Sequence, residues 1–193
     1  MIKFNGINHL AMATGDMDAT IRFWRDLLGC RLIAGLGRPG YRHYFFELSP
    51  TDAIAFFEWS GVTPIEERPH GAPRKGPIAF DHISFGVETM ADLWEINDLL
   101  TAADLYVTEA IDHGFLISIY AYDPNGIPIE FSWNKDTENI RERPAMHDPE
   151  PCAQARLGPE PQPGAWPMAT KPTPDTEKTI FPGAGSEFFH GKQ

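Results

Sequence analysis

The sequence predicts an α+β fold, two βαβββ modules in tandem followed by an irregular tail. Three observations carry that reading. Residues 1–135 contain an internal repeat of strand and helix signals. A strong turn signal, Asp123-Pro124-Asn125-Gly126, separates two strand-like runs of the second repeat. Near residue 136 the alternation stops, and ten of the 18 prolines fall between Pro144 and Pro182, with no sustained period of 2 or 3.6.

The two repeats begin alike. Residues 7–28 read INHLAMATGDMDATIRFWRDLL and residues 80–100 read FDHISFGVETMADLWEINDLL. Each gives a short apolar strand with a histidine near its start, then a helix. In the first helix Met17, Ile21, Trp24 and Leu28 recur at i, i+4, i+7 and i+11, which is one face. Asp16 is its expected N-cap and Gly29 its stop. In the second helix Met90, Leu93, Trp94 and Leu100 are the expected core residues, with Glu88 or Thr89 at the opening. Strand-like runs follow near 30–36, 42–48 and 53–59, and again near 105–110, 115–122 and 127–133. The modules are therefore expected over 4–60 and 79–135, joined by a Pro- and Gly-rich linker at 61–78. Residues 136–193 read as a tail, either mobile or an arm whose Trp166, Phe181, Phe188 and Phe189 dock on the body or on a partner subunit.

Composition narrows the partners. A chain of 193 residues with 42% hydrophobic content can bury a substantial core. A formal charge of -11 without a basic stripe argues against nucleic acid and anionic membrane. No stretch approaches the roughly 18 apolar residues of a spanning helix. Cys30 and Cys152 follow no CxxC pattern and read as reduced thiols of a cytoplasmic protein, Cys30 in the core.

The repeat also places chemistry-bearing residues twice. His9 and His82 lie in the two first strands, Glu58 and Glu130 in the two last, and the His-to-Glu spacing is 49 and 48. Side chains alternate faces along a strand. His82, Ser84 and Gly86 thus share one face, and so do Pro128, Glu130 and Ser132, opposite the greasy Ile127, Ile129 and Phe131. In module one His9 shares a face with Ile7 and Ala11, and Glu58 with Ile54 and Phe56. Imidazoles and carboxylates converging in a cavity are costly to bury unpaired. A divalent metal offsets that cost, with Fe, Ni, Mn or Zn suited to the mixture. His43 on the third strand of module one, and Phe56, are expected to contact a small-molecule substrate.

With these residues in place, the chain resembles the vicinal-oxygen-chelate superfamily (glyoxalase, bleomycin resistance and extradiol dioxygenase proteins) over residues 4–135. The resemblance implies a U-shaped mixed sheet around a metal held by His9, His82 and Glu130, with Glu58 at a variable fourth place, and a homodimer. Residues 111–130, IDHGFLISIYAYDPNGIPIE, are similar to the type I extradiol dioxygenase signature through His113, Ile119-Tyr120, Asp123-Pro124-Asn125-Gly126 and Glu130. That similarity implies an Fe(II) dioxygenase cleaving a catechol-like aromatic ring with O2. His113 would be the proton donor and acceptor, and Tyr120 a partner to a substrate oxygen. Glu58 as a fourth ligand would instead match a glyoxalase I-like lyase, isomerase or epimerase using Ni or Zn. A third possibility is a non-catalytic binding module, against which the His and Glu pairs argue.

Overall fold

The computed structural model describes residues 7–73, 75–76, 80–135, 142–144, 153, 155–160 and 170–182. The chain divides into two compact units, Met1–Glu138 and Asn139–Gln193. Among the described residues of the second unit the regular structure is two 3-10 turns, Ala155–Leu157 and Asp175–Glu177, and Phe181 is exposed. Cys152, Trp166, Phe188 and Phe189 lie outside the described residues.

The first unit holds the repeat. Module one runs β1 (His9–Thr14), α1 (Met17–Ile21), β2 (Leu32–Arg38), β3 (Tyr41–Glu47) and β4 (Ala53–Trp59). Module two runs β5 (Ile83–Gly86), α2 (Met90–Ala102), β6 (Ile111–Asp112), β7 (Leu116–Tyr122) and β8 (Pro128–Asn134). Each module is a four-stranded mixed sheet, ordered β1-β4-β3-β2 and β5-β8-β7-β6. The first strand pairs parallel with the last, and the remaining pairs are antiparallel. The expected α+β architecture of paired βαβββ modules is therefore present, as two open sheets.

Helix signals act locally as expected. Asp16 caps α1 by accepting from Ala19 N at 2.9 Å. Thr89 and Asp92 form a reciprocal capping box at the start of α2. Beyond Ile21, however, the first helix widens into a π-helical segment, Arg22–Leu27, in which Leu28 N bonds Phe23 O at 3.0 Å. Slower rotation per residue turns adjacent Phe23 and Trp24 both inward, and both are buried. The expected face is present, with Met17 and Trp24 in the core and Ile21 and Leu28 half-buried against it, and the wider turn adds Phe23. On α2, Leu93 and Leu100 lie two turns apart and are fully buried, whereas Trp94, about 100° further round, is 47% exposed and not core.

The expected strand at 105–110 is reduced to one bridge, Val107 to Ala121, with pairing resuming at β6. Thr108 explains the interruption. Its N–H bonds Tyr120 O at 3.0 Å, but its side-chain Oγ1, not its backbone, accepts Tyr120 N–H at 3.0 Å.

The helix-facing sides of both sheets share one core. Trp24 packs edge-on against Phe85 of β5 at 5.5 Å and lies 6.0 Å from Phe56 of β4. Ile54, Phe56, Ile119 and Ile129 are fully buried. Cys30 is a free, half-buried thiol, and burial pushes its pKa up to about 11. Among the described residues no helix is long and apolar enough to cross a membrane.

Candidate metal centre

In module two, register decides which side chains meet. Ser84 of β5 pairs with Glu130 of β8, and Glu130 pairs in turn with Tyr120 of β7. Residues paired across a ladder share a face, so Glu130, Tyr120 and Ser84 stand together, with His82 two residues before Ser84 on the same face. His82 Nε2 lies 3.0 Å from Glu130 Oε2. The other carboxylate oxygen, Oε1, accepts from Ser118 Oγ and, at 3.2 Å, from the Tyr120 hydroxyl. The Tyr120 hydroxyl also lies 3.0 Å from His113 Nε2. Four residues expected to share chemistry thus form one chain: His82, Glu130, Tyr120 and His113.

Burial and charge act on this chain in opposite directions. Burial works to raise the Glu130 pKa, but hydrogen bonding by Ser118 and Ser84 and the charge on His82 outweigh it, so the carboxyl titrates below its ordinary value. Tyr120 is driven the other way: burial first, then the charge of Glu130, push it up to about 12, so it stays a phenol that donates.

The donor set fits a divalent cation. His82 Nδ1 donates to Asp81 Oδ1 at 2.7 Å and Nε2 donates to Glu130 Oε2, so a cation would replace the Nε2 proton between imidazole and carboxylate. Two ligands about 2.1 Å from one ion and about 90° apart stand about 3 Å from each other, matching this pair. Among the described residues no three His, Cys, Asp or Glu side chains are grouped closely enough to hold an ion by themselves.

Module one treats its histidine alike and its carboxylate differently. His9 Nδ1 is held by Asn8 Oδ1 at 2.8 Å, the counterpart of Asp81 and His82. His9 pairs with Ala53, and Ala11 with Ala55, so these share the open face with Phe57 and His43. Glu58 pairs with Thr14, on the opposite, helix-facing side with Ile54 and Phe56. There its Oε1 accepts from Met17 N at 2.9 Å and its Oε2 from Arg42. The expectation that Glu58 and His9 point into one cavity is corrected by this register. Phe56 likewise is fully buried core, not a pocket wall. His43 is on the open face, but stacks on Phe57 at 3.6 Å and is only 8% exposed. Burial, then the charge of His9, lower its pKa, so it sits there as a neutral ring.

Two residues given no role by the sequence reading belong to the site. His70, from the linker, lies flat on Tyr120, with ring centroids 3.5 Å apart and planes 3° apart, and edge-on to His82 at 6.0 Å. Asp81 orients His82. The available signals were the repeated Asx-His pair at 8–9 and 81–82, and Pro69-His70-Gly71, a turn sequence that fixes the place of the residue between Pro and Gly. His147 and His190 lie outside the described residues.

Comparison with known proteins agrees with this architecture. The chain is 28% identical over 138 residues to a lactoylglutathione lyase of Haemophilus influenzae, covering 69% of this chain and 96% of that one. It is 25% identical over 130 residues to an iron-dependent extradiol dioxygenase of Rhodococcus jostii, covering 65% of this chain but only 42% of the dioxygenase. A solved glyoxylase/bleomycin resistance protein/dioxygenase domain from Frankia superposes with a TM-score of 0.58 at 21% identity, over 69% of this chain and all of that one, which shows the shared fold. Residues 6–131 match the family model, and the chain belongs to the Glyoxalase/Bleomycin resistance protein/Dioxygenase superfamily.

Proposed function

We propose that this chain is a metal-dependent oxidoreductase of the extradiol dioxygenase type, opening a catechol-like ring with O2. The observation that supports it is the hydrogen-bonded chain from His82 through Glu130 and Tyr120 to His113. His82 and Glu130, joined by His9, would hold a divalent metal, with Fe(II) favoured over Ni, Mn or Zn. A metal held there would supply Lewis acidity and a path for electrons from the ring to O2. Both atoms of O2 enter the product as one ring carbon–carbon bond breaks.

The protein's own groups handle position and protons. Tyr120 spans Glu130 and His113, so its hydroxyl can hold a substrate oxygen beside the ligand carboxylate. His113 is the acid and base within reach of that hydroxyl. His70 covers Tyr120 and limits access of water. The working form is a cytoplasmic homodimer, a reading supported by the open sheet edges.

A second reading is a glyoxalase-like lyase using Ni or Zn, supported by the lactoylglutathione lyase similarity over nearly the whole of that protein. It calls for Glu58 as fourth ligand. The position of Glu58 across the sheet, tied to Arg42 and Met17, weighs against it.

Loading the protein with Fe(II) without oxygen and then admitting air with a panel of catechols separates the two. Oxygen uptake with a yellow ring-opened product is the expected result. No uptake, together with oxygen-independent turnover of a thiohemiacetal by the Ni or Zn form, would overturn the dioxygenase reading.

A further inference from the structure

Asp81 is bonded to two parts of the site at once. Its Oδ1 accepts from His82 Nδ1 at 2.7 Å and from the backbone N–H of Gly71 at 3.0 Å. Gly71 sits in a turn closed by Ala72 N to Pro69 O at 3.4 Å, with a φ of 65° that favours glycine, and that turn presents His70. The linker has a second tether on the same module: Ile65 N bonds Asn125 O at 2.8 Å. There the chains touch so closely that a Cβ on Gly126 would fall 2.2 Å from Ile65 O. Residues 65–71 therefore form a strap pinned at Asn125 and at Asp81, with His70 lying on Tyr120 between His82 and His113.

The far tether is backbone to backbone and independent of the metal ligands. The near tether is not, because one oxygen atom serves both the strap and His82. An ion on His82 Nε2 fixes the ring with Nδ1–H toward Asp81, and an ordered Asp81 is a better acceptor for Gly71. By linkage, a closed strap favours the ion to the same degree.

We propose that Asp81 is a positioning residue that couples metal occupancy at His82 to closure of the 65–71 strap over Tyr120. The inference rests on the metal-site reading above, but not on which reaction follows. Module one supplies an internal control, since Asn8 orients His9 in the same way.

The test is hydrogen exchange across residues 66–73 of the full chain, with and without Mn(II), alongside Mn(II) titration. In the wild type, Mn(II) slows exchange at Gly71 by about tenfold. Asp81→Ala lowers Mn(II) affinity about 10- to 100-fold and abolishes the slowing even at saturating metal. Asp81→Asn, which keeps an acceptor oxygen, restores both to within about threefold, so an alanine variant that folds badly does not decide the matter. Asn8→Ala weakens Mn(II) binding while leaving the slowing at Gly71 in place. Mn(II) binding with unchanged Gly71 exchange in the wild type, or persistent slowing in Asp81→Ala, would overturn the coupling alone. No Mn(II) binding by the wild type would overturn the metal site and the coupling together.

Discussion

Modules one and two open on the same device and then diverge. In both, the residue before the strand histidine takes Nδ1, at 2.8 Å from Asn8 and 2.7 Å from Asp81, which turns Nε2 to the other side of the ring. In module two the carboxylate that follows, Glu130, stands on the histidine's own face and is hydrogen-bonded by Ser118 and Tyr120. In module one the matching ladder position, two residues along from the histidine and across to the last strand, is Ala55. Glu58 comes three residues later on β4. An odd offset on a strand reverses the face, so Glu58 points toward α1, where it caps Met17 and pairs with Arg42. The open face of module one is left to His9, His43, Phe45 and Phe57, an aromatic surface. Near-equal sequence spacings, 49 and 48, thus conceal opposite orientations. One repeat keeps its carboxylate beside its histidine, and the other spends its carboxylate on its own helix.

This asymmetry can be broken by substitution. The largest effect is expected for His82→Ala, which removes an imidazole facing Glu130. Metal affinity and turnover both fall by more than about 100-fold, beyond what loss of an outer partner gives, measured by metal content after dialysis and by oxygen uptake. Next comes Phe56→Ala, which hollows the core beneath β4 and costs about 3–5 kcal/mol by denaturant unfolding, while metal affinity per folded molecule stays near wild type. A metal loss as large as that of His82→Ala would restore Phe56 to the site.

Tyr120→Phe keeps the stacked ring and removes the hydroxyl between Glu130 and His113. Turnover falls about tenfold or more, with a stability change near 1 kcal/mol. The acid limb of stability sharpens the comparison further. The Glu130 pKa is lower in the folded protein than the ordinary glutamate value of 4.5. The unfolded chain therefore binds the proton first, and the contribution from Glu130 is complete above that pH and lost as pH falls through the folded value. Glu130→Gln should flatten this part of the stability curve below about pH 4.5. An unchanged slope would mean that Glu130 does not hold this charge in the folded state.

Much of this was legible in the sequence because the signals are local. Capping by Asp16 and Thr89, the Asp-Pro-Asn-Gly turn, and the polar faces that carry His82 and Glu130 on their own strands each follow from periods of 2 or 3.6 and from turn chemistry, and Tyr120 was reached through the family resemblance. What escaped depends on how one strand registers with another. The parallel register of β1 on β4 decides whether Glu58 faces His9, and no spacing within a single strand reports that. The π-helical turn that brings Phe23 inward, and the hydroxyl of Thr108 that displaces a ladder bond, are likewise outcomes of packing. His70 was hidden for a further reason: it lies in an irregular linker, and tethers at Asn125 and Asp81, distant in sequence, hold that linker against module two.

The central claim, that Glu130 is a ligand of the proposed metal and that Glu58 has no part in holding it, is tested most directly by titrating Glu130→Gln and Glu58→Gln with Fe(II) under anaerobic conditions. The prediction is a loss of more than about 100-fold for Glu130→Gln and a change within about twofold for Glu58→Gln, whose cost of about 1 kcal/mol would show only in unfolding. Equal losses of metal in the two variants would place both carboxylates on one ion and contradict the account.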